Sequence, residues 1–120
     1  MSRSWNSDTF SPKQGQLTEF RKAVKVDLPG FPHKVNLDID VLTTEGGLRW
    51  ANEIKDHALL KLDSRLKNQI LKMEDAVRKG FVDRARIIIT GQAELDVITF
   101  ATLHGIELRK YSNGILGVVS

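Results

Sequence analysis

The stretch Val35–Lys55, VNLDIDVLTTEGGLRWANEIK, decides how the rest of the chain is read. Val35, Leu37, Ile39 and Val41 alternate with Asn36, Asp38 and Asp40, a period of two that places the polar set on one face of a strand. Gly46-Gly47 marks a tight turn, and a second strand runs from Leu48 to Lys55. Its Leu48, Trp50 and Ile54 fall on one face, and Arg49, Ala51, Glu53 and Lys55 on the other. Glu53 and Lys55 therefore share a face, and a hairpin can set Asp40 beside them. Two carboxylates converging next to an ammonium can hold a hard divalent cation through oxygen ligands, with the lysine close to a bound water. The competing reading is a surface ion pair on an edge hairpin, which is worth little energetically. An unpaired carboxylate among the aliphatic neighbours of Asp40 would be costly, and this favours the functional reading. Asp38 faces the same way as Asp40, either as an additional ligand or as a solvated carboxylate near the sheet's edge. Asn52 faces away from Glu53 and is read as structural.

Downstream, Leu59, Leu62, Leu66, Ile70, Met73 and Val77 recur at steps of three and four and predict a helix over roughly Ala58 to Lys79, stopped by Gly80. Its other face carries Lys61, Arg65, Lys67, Lys72, Arg78 and Lys79 among acids. That is a solvated face, or in part a set of phosphate contacts. Ala85 to Thr90, ARIIIT, is too short and Ile-rich for a helix and reads as a central strand covered on both faces. A helix from about Gln92 to His104 follows, then a strand over Ile106 to Tyr111. Asn113-Gly114 is a hairpin turn signal, with Ile115 to Val119 pairing back as an edge strand. Upstream, Pro29-Gly30-Phe31-Pro32 breaks the chain and Lys25 to Leu28 forms a short strand. Ser11-Pro12-Lys13-Gln14 reads as a capped helix start, with Leu17, Phe20 and Val24 as its buried stripe. Residues 1–10 are polar and aperiodic, a mobile arm ahead of one domain over 11–120. The expected fold is α/β: a mixed central β-sheet flanked by helices through right-handed crossovers.

With 120 residues the chain suits a single domain, and 41% hydrophobic content suffices for one core. No window approaches the ~20 apolar residues of a membrane span, and no apolar leader core opens the chain. There is no cysteine, which excludes disulfides and thiolate metal sites. His33, His57 and His104 are scattered without a second histidine at ligand spacing, so a zinc site is not expected; only His57 lies near the proposed chemistry. Gly46-Gly47 lacks the Lys-Ser/Thr of a phosphate loop, and no hydrolase-triad motif is present. The formal charge of +3 permits a polyanionic partner without requiring one.

Asp40, then Glu53-Ile54-Lys55 thirteen positions on, resembles the motif of the PD-(D/E)xK nuclease superfamily, the restriction-endonuclease-like fold. One departure is Ile39, which stands where the name-giving proline would be. The order of elements from Ser11 to Tyr111, including the HGIEL of residues 104–108, is also similar to that superfamily's core. The resemblance implies a metal-dependent endonuclease in which Asp40, Glu53 and the Ile54 carbonyl ligate Mg²⁺ or Mn²⁺. Lys55 would assist the attacking water and offset charge in the transition state. It also makes Glu19, on the expected first helix, a candidate to reach the metal. Gln69, beside the apolar stripe of the long helix, is either the polar residue that the resemblance implies should point at the site or a plain helix glutamine.

The implied substrate is DNA or RNA, tRNA included. The lean form, without a separate reading domain, suits a toxin module of contact-dependent inhibition, acting in the cytoplasm after delivery from another cell and restrained by an immunity protein. A Holliday-junction resolvase or a repair or phage nuclease is the alternative. A catalytically silent module binding nucleic acid or protein through the same fold is a different class, and the intact Asp40, Glu53 and Lys55 count against it. A third class, a structural or assembly domain whose hairpin carboxylates only pair with Lys55, would bind no divalent metal. Oligomeric state is not read from these residues.

Overall fold

A computed structural model describes residues 18–119; the expected arm and the start of the expected first helix lie outside them. Three strands come first: β1 (Thr18–Val26), β2 (Val35–Glu45) and β3 (Leu48–Lys55). A two-residue strand β4 (Leu59–Leu60) precedes helix α1 (Ser64–Arg78) and strand β5 (Arg84–Ile89). Then come β6 (Gln92–Ala93), helix α2 (Leu95–Leu103), β7 (Glu107–Ser112) and β8 (Ile115–Val118). The main sheet has the order β1-β2-β3-β5-β7-β8, and β4 pairs with β6 in a second, two-stranded sheet. β3, β5 and β7 run parallel, and the outer pairs are antiparallel, so the expected mixed α/β sheet is observed.

Turn chemistry and burial explain the hairpin that organises the chain. Gly46 and Gly47 have φ of 60° and 84°, the left-handed pair that a two-residue hairpin turn needs. Leu37, Ile39, Val41 and Thr43 are buried along β2, as the period of two requires. The core joins Ala51, Ala85, Ile87 and Ile89 of the sheet to Leu66, Ile70, Met73 and Ala76 of α1 and Val97 and Ala101 of α2. Both helices therefore close over one apolar mass against the centre of the sheet.

Two expectations are corrected. The segment Thr18–Val24, expected as the end of a helix, is the first part of an edge strand. Its register runs from Thr18↔Thr43 to Val26↔Val35. The long outer side of β2 needs a partner, and that pairing overrides the helical spacing of Phe20 and Val24. Phe20 is 57% exposed, which the buried stripe of a helix would not allow. The cations Arg21, Lys22 and Lys25 blunt this edge against further pairing. The helix expected from Ala58 begins instead at Ser64, because Asp63 caps it: its Oδ1 accepts from the Leu66 amide at 2.8 Å. Leu59 and Leu60 are drawn into pairing with Gln92 and Ala93, which also shortens the second helix to Leu95–Leu103.

Candidate functional site

The β2–β3 ladder pairs Val41 with Asn52, and the same register would next set Asp40 opposite Glu53 and then Ile39 opposite Ile54. Instead the Asp40 carboxylate takes over: its Oδ2 accepts from the Ile54 amide at 3.1 Å. The strands part here, and the Asp40 side chain occupies the opening. In an extended strand the N–H and C=O of one residue point to the same neighbour, so the Ile54 carbonyl also faces the β2 side.

Glu53, the next residue back on β3, is 8% exposed. Gln69 of α1 donates from Nε2 to its Oε1 at 3.1 Å, and Lys55 Nζ stands 3.4 Å from its Oε2. Burial raises the Glu53 carboxyl to about 7, reinforced by the neighbouring charge of Asp40 and opposed by Lys55. The structure thus brings together Asp40, Glu53, Ile54, Lys55 and Gln69. Two acids and an ammonium converge in a half-buried place, with one carboxylate held by a backbone amide and the other by a side-chain amide.

Two candidates are not brought in. Glu19 lies on strand β1 and not on a helix, opposite Leu42, and its carboxylate is 3.6 Å from Lys22. Arg21, with φ of 55°, interrupts the alternation between them. Asp38 stands opposite Ala23 on the outer pair and is exposed. Neither contacts the Asp40–Glu53 pair. His57 is exposed at the edge of the site, whereas His104 is taken by Glu74, its Nδ1 3.1 Å from Oε1.

A supporting layer on the other side of β3 escaped the sequence reading. Arg86 is 5% exposed and donates from Nε to Asn52 Oδ1 at 2.6 Å and from Nη2 to Glu45 Oε2. Its guanidinium lies 4.4 Å from the centre of the Trp50 ring. Asn52 Nδ2 in turn donates to the Val41 carbonyl at 3.0 Å and to Thr43 Oγ1 at 3.1 Å. Asn52 is structural, as expected, and this bonding fixes the strand one residue before Glu53. The one available signal was an arginine inside an otherwise apolar strand, with Glu45 at the hairpin tip.

A second device positions the chain just after Lys55. Thr90 Oγ1 donates to Asp56 Oδ1 at 2.6 Å, and the Gln92 amide donates to the Ala58 carbonyl at 2.9 Å. Gly91 packs so closely that a Cβ there would lie 2.1 Å from the His57 carbonyl oxygen and 2.5 Å from that of Ala58. Only glycine allows this approach. Beside it a cavity of about 290 Å³ is lined by Lys55, His57, Lys61, Asp63 and Arg65 among others.

No protein-family model matches the chain, and no curated protein matches it. Among solved structures it is similar to the crystal structure of a protein of unknown function, AF1548, with a TM-score of 0.59 at 20% identity. The match covers 82% of this chain and 50% of that one, so this chain spans half the length of AF1548. At that identity the likeness concerns the α/β fold alone.

Proposed function

We propose that this chain is a metal-dependent nuclease of the PD-(D/E)xK type, built on a restriction-endonuclease-like core. The observation that carries the reading is the pairing of Asp40 with the buried Glu53, with Lys55 Nζ 3.4 Å from Glu53. Two like charges in a half-buried place are unfavourable unless a cation is shared between them. The order β1-β2-β3 followed by parallel β5 and β7, with a helix before each, also supports it.

The donor set fits a hard cation. Among the described residues no group of three or more His, Cys, Asp or Glu side chains gathers for a metal. Two carboxylates and a carbonyl are oxygen donors, so Asp40, Glu53 and Ile54 would hold Mg²⁺ or Mn²⁺ only with water and substrate phosphate completing the shell, as Mg²⁺ prefers. When bound, the ion would polarise the phosphodiester and lower the pKa of a coordinated water. Gln69 orients Glu53 for this task. Lys55 orients the attacking water and offsets charge gathering on the phosphorus oxygens, while the water oxygen forms its bond to phosphorus and the opposite P–O bond breaks.

The test is incubation of the purified chain with plasmid DNA, single-stranded DNA and total tRNA, in Mg²⁺, Mn²⁺ or EDTA, beside Asp40→Ala and Lys55→Ala. The expected result is metal-dependent cutting by wild type alone, with the polymer cut identifying the substrate. Equal cutting by the variants, or no cutting of any polymer including branched DNA, would overturn the reading.

A further inference from the structure

Beyond Lys55 itself, the cavity that begins there is lined by side chains that the chemistry above does not use. Its wall holds Lys55, His57, Lys61 and Arg65 against a single carboxylate, Asp63. That carboxylate is already engaged in capping α1. Among the described residues neither Lys61 nor Arg65 is joined to an acid; the same holds for Arg21, Lys25, Lys67, Lys72 and Lys110, but of these cations Lys61 and Arg65 are the two that line the cavity. Both are exposed, so their donors are accessible. The walls are held in place from outside the cavity: β4 pairs with β6, Asp56 bonds Thr90, and Asp63 starts the helix that carries Arg65.

We propose that this cavity binds the phosphodiester backbone of a nucleic-acid strand next to the bond being cut, with Lys61 and Arg65 contacting its phosphates. The inference rests on the nuclease reading, since that reading puts the scissile phosphate at Lys55 and makes the cavity the next stop along the strand. An uncompensated Lys and Arg on a concave wall suit phosphate oxygens, the arginine through its planar fork of donors. Leu59, Leu60 and Leu66 on the same wall give the sugar an apolar surface.

The experiment is fluorescence anisotropy of labelled single-stranded DNA and RNA in EDTA, where no cutting competes, over a range of salt. It compares wild type, Lys61→Ala/Arg65→Ala, Lys61→Arg/Arg65→Lys, and a charge-matched control away from the cavity, Lys25→Ala/Lys110→Ala. The double alanine variant should weaken binding roughly tenfold and flatten the slope of log K against log salt by about 1.4, two phosphate contacts at ~0.7 each. The conservative swap should restore the wild-type slope, and the control should weaken binding less than threefold. Wild-type affinity and slope in the double alanine variant would overturn the proposal. So would displacement of the oligonucleotide by inorganic phosphate at equal phosphate concentration, which would mark a small-anion site. If wild type cuts but the alanine variant binds unchanged, only the cavity assignment fails. If the variant loses binding as expected while wild type never cuts, the cavity stands and the nuclease reading fails.

Discussion

Glu53 is the residue on which the chemistry turns, and its carboxyl is raised from 4.5 to about 7, first by burial and then by Asp40. A folded state that holds its proton more tightly than the unfolded chain loses stability as pH rises between those two values. Without metal, Glu53→Gln should therefore be more stable than wild type at pH 8, by up to about 3 kcal/mol, and no more stable near pH 4.5. Denaturant titrations at both pH values check this, and an equal gap at both would count against it. Gln69→Ala removes the donor that orients Glu53 and should lower metal affinity or cleavage about tenfold without unfolding the protein. Asp40, Glu53 and Lys55 were all legible in the sequence, because the period of two and a Gly-Gly turn suffice to converge them. Gln69 was legible only through the family resemblance, since its reach depends on how α1 packs. Glu19 failed because its element was misread, and Arg86 was missed because its acid and aromatic partners come from other strands.

At the level of elements, the strands with alternating or continuous apolar patterns were readable, and those formed by long-range pairing were not. β1 is a strand because β2 needs a partner, and β4 and β6, of two residues each, carry no pattern to read. Gly91 holds the second of these pairings together. Gly91→Ala should cost at least about 2 kcal/mol, because its Cβ would meet two backbone carbonyls that cannot rotate away. Thermal unfolding measures the loss, and a melting temperature equal to wild type would refute the close approach. At the far end of α1, Asp75 is buried and ties the helix to the residue just after β1: its Oδ2 accepts from the Asp27 amide at 2.8 Å and from Lys79, and Oδ1 from Arg78 at 2.5 Å. Burial pushes its pKa up, but the Lys79 and Asp27 hydrogen bonds and the nearby cations outweigh that and leave it below 3.8. Its contribution is thus present above that value and lost as pH falls below it. Asp75→Ala leaves the Asp27 amide without its acceptor, while Lys79 keeps Asp27 and Arg78 keeps Glu74, and should cost about 2 kcal/mol at pH 7 in a denaturant titration. A change below about 1 kcal/mol would show that the tether is not used.

Across the whole molecule, the mixed sheet sets β2 and β3 to part at Asp40, brings α1 across to Glu53 through Gln69, and fastens the segment after Lys55 to the loop after β5. No helix of the described residues is long and apolar enough to cross a membrane. The site therefore depends on β2, β3 and α1 meeting; the order of the longer elements from β2 onward was readable from sequence, while β1, the short β4 and β6 and the supporting contacts were not. The claim on which the rest depends is that Asp40 and Glu53 share a divalent cation. Titration calorimetry with Mn²⁺ and Mg²⁺, on wild type, Asp40→Ala and Glu53→Gln at pH 6 and pH 8, tests it most directly. The account predicts binding by wild type that tightens from pH 6 to pH 8, with proton release near neutrality as Glu53 ionises, and none by either variant. No binding by wild type at millimolar metal, or equal binding by all three proteins, would contradict it.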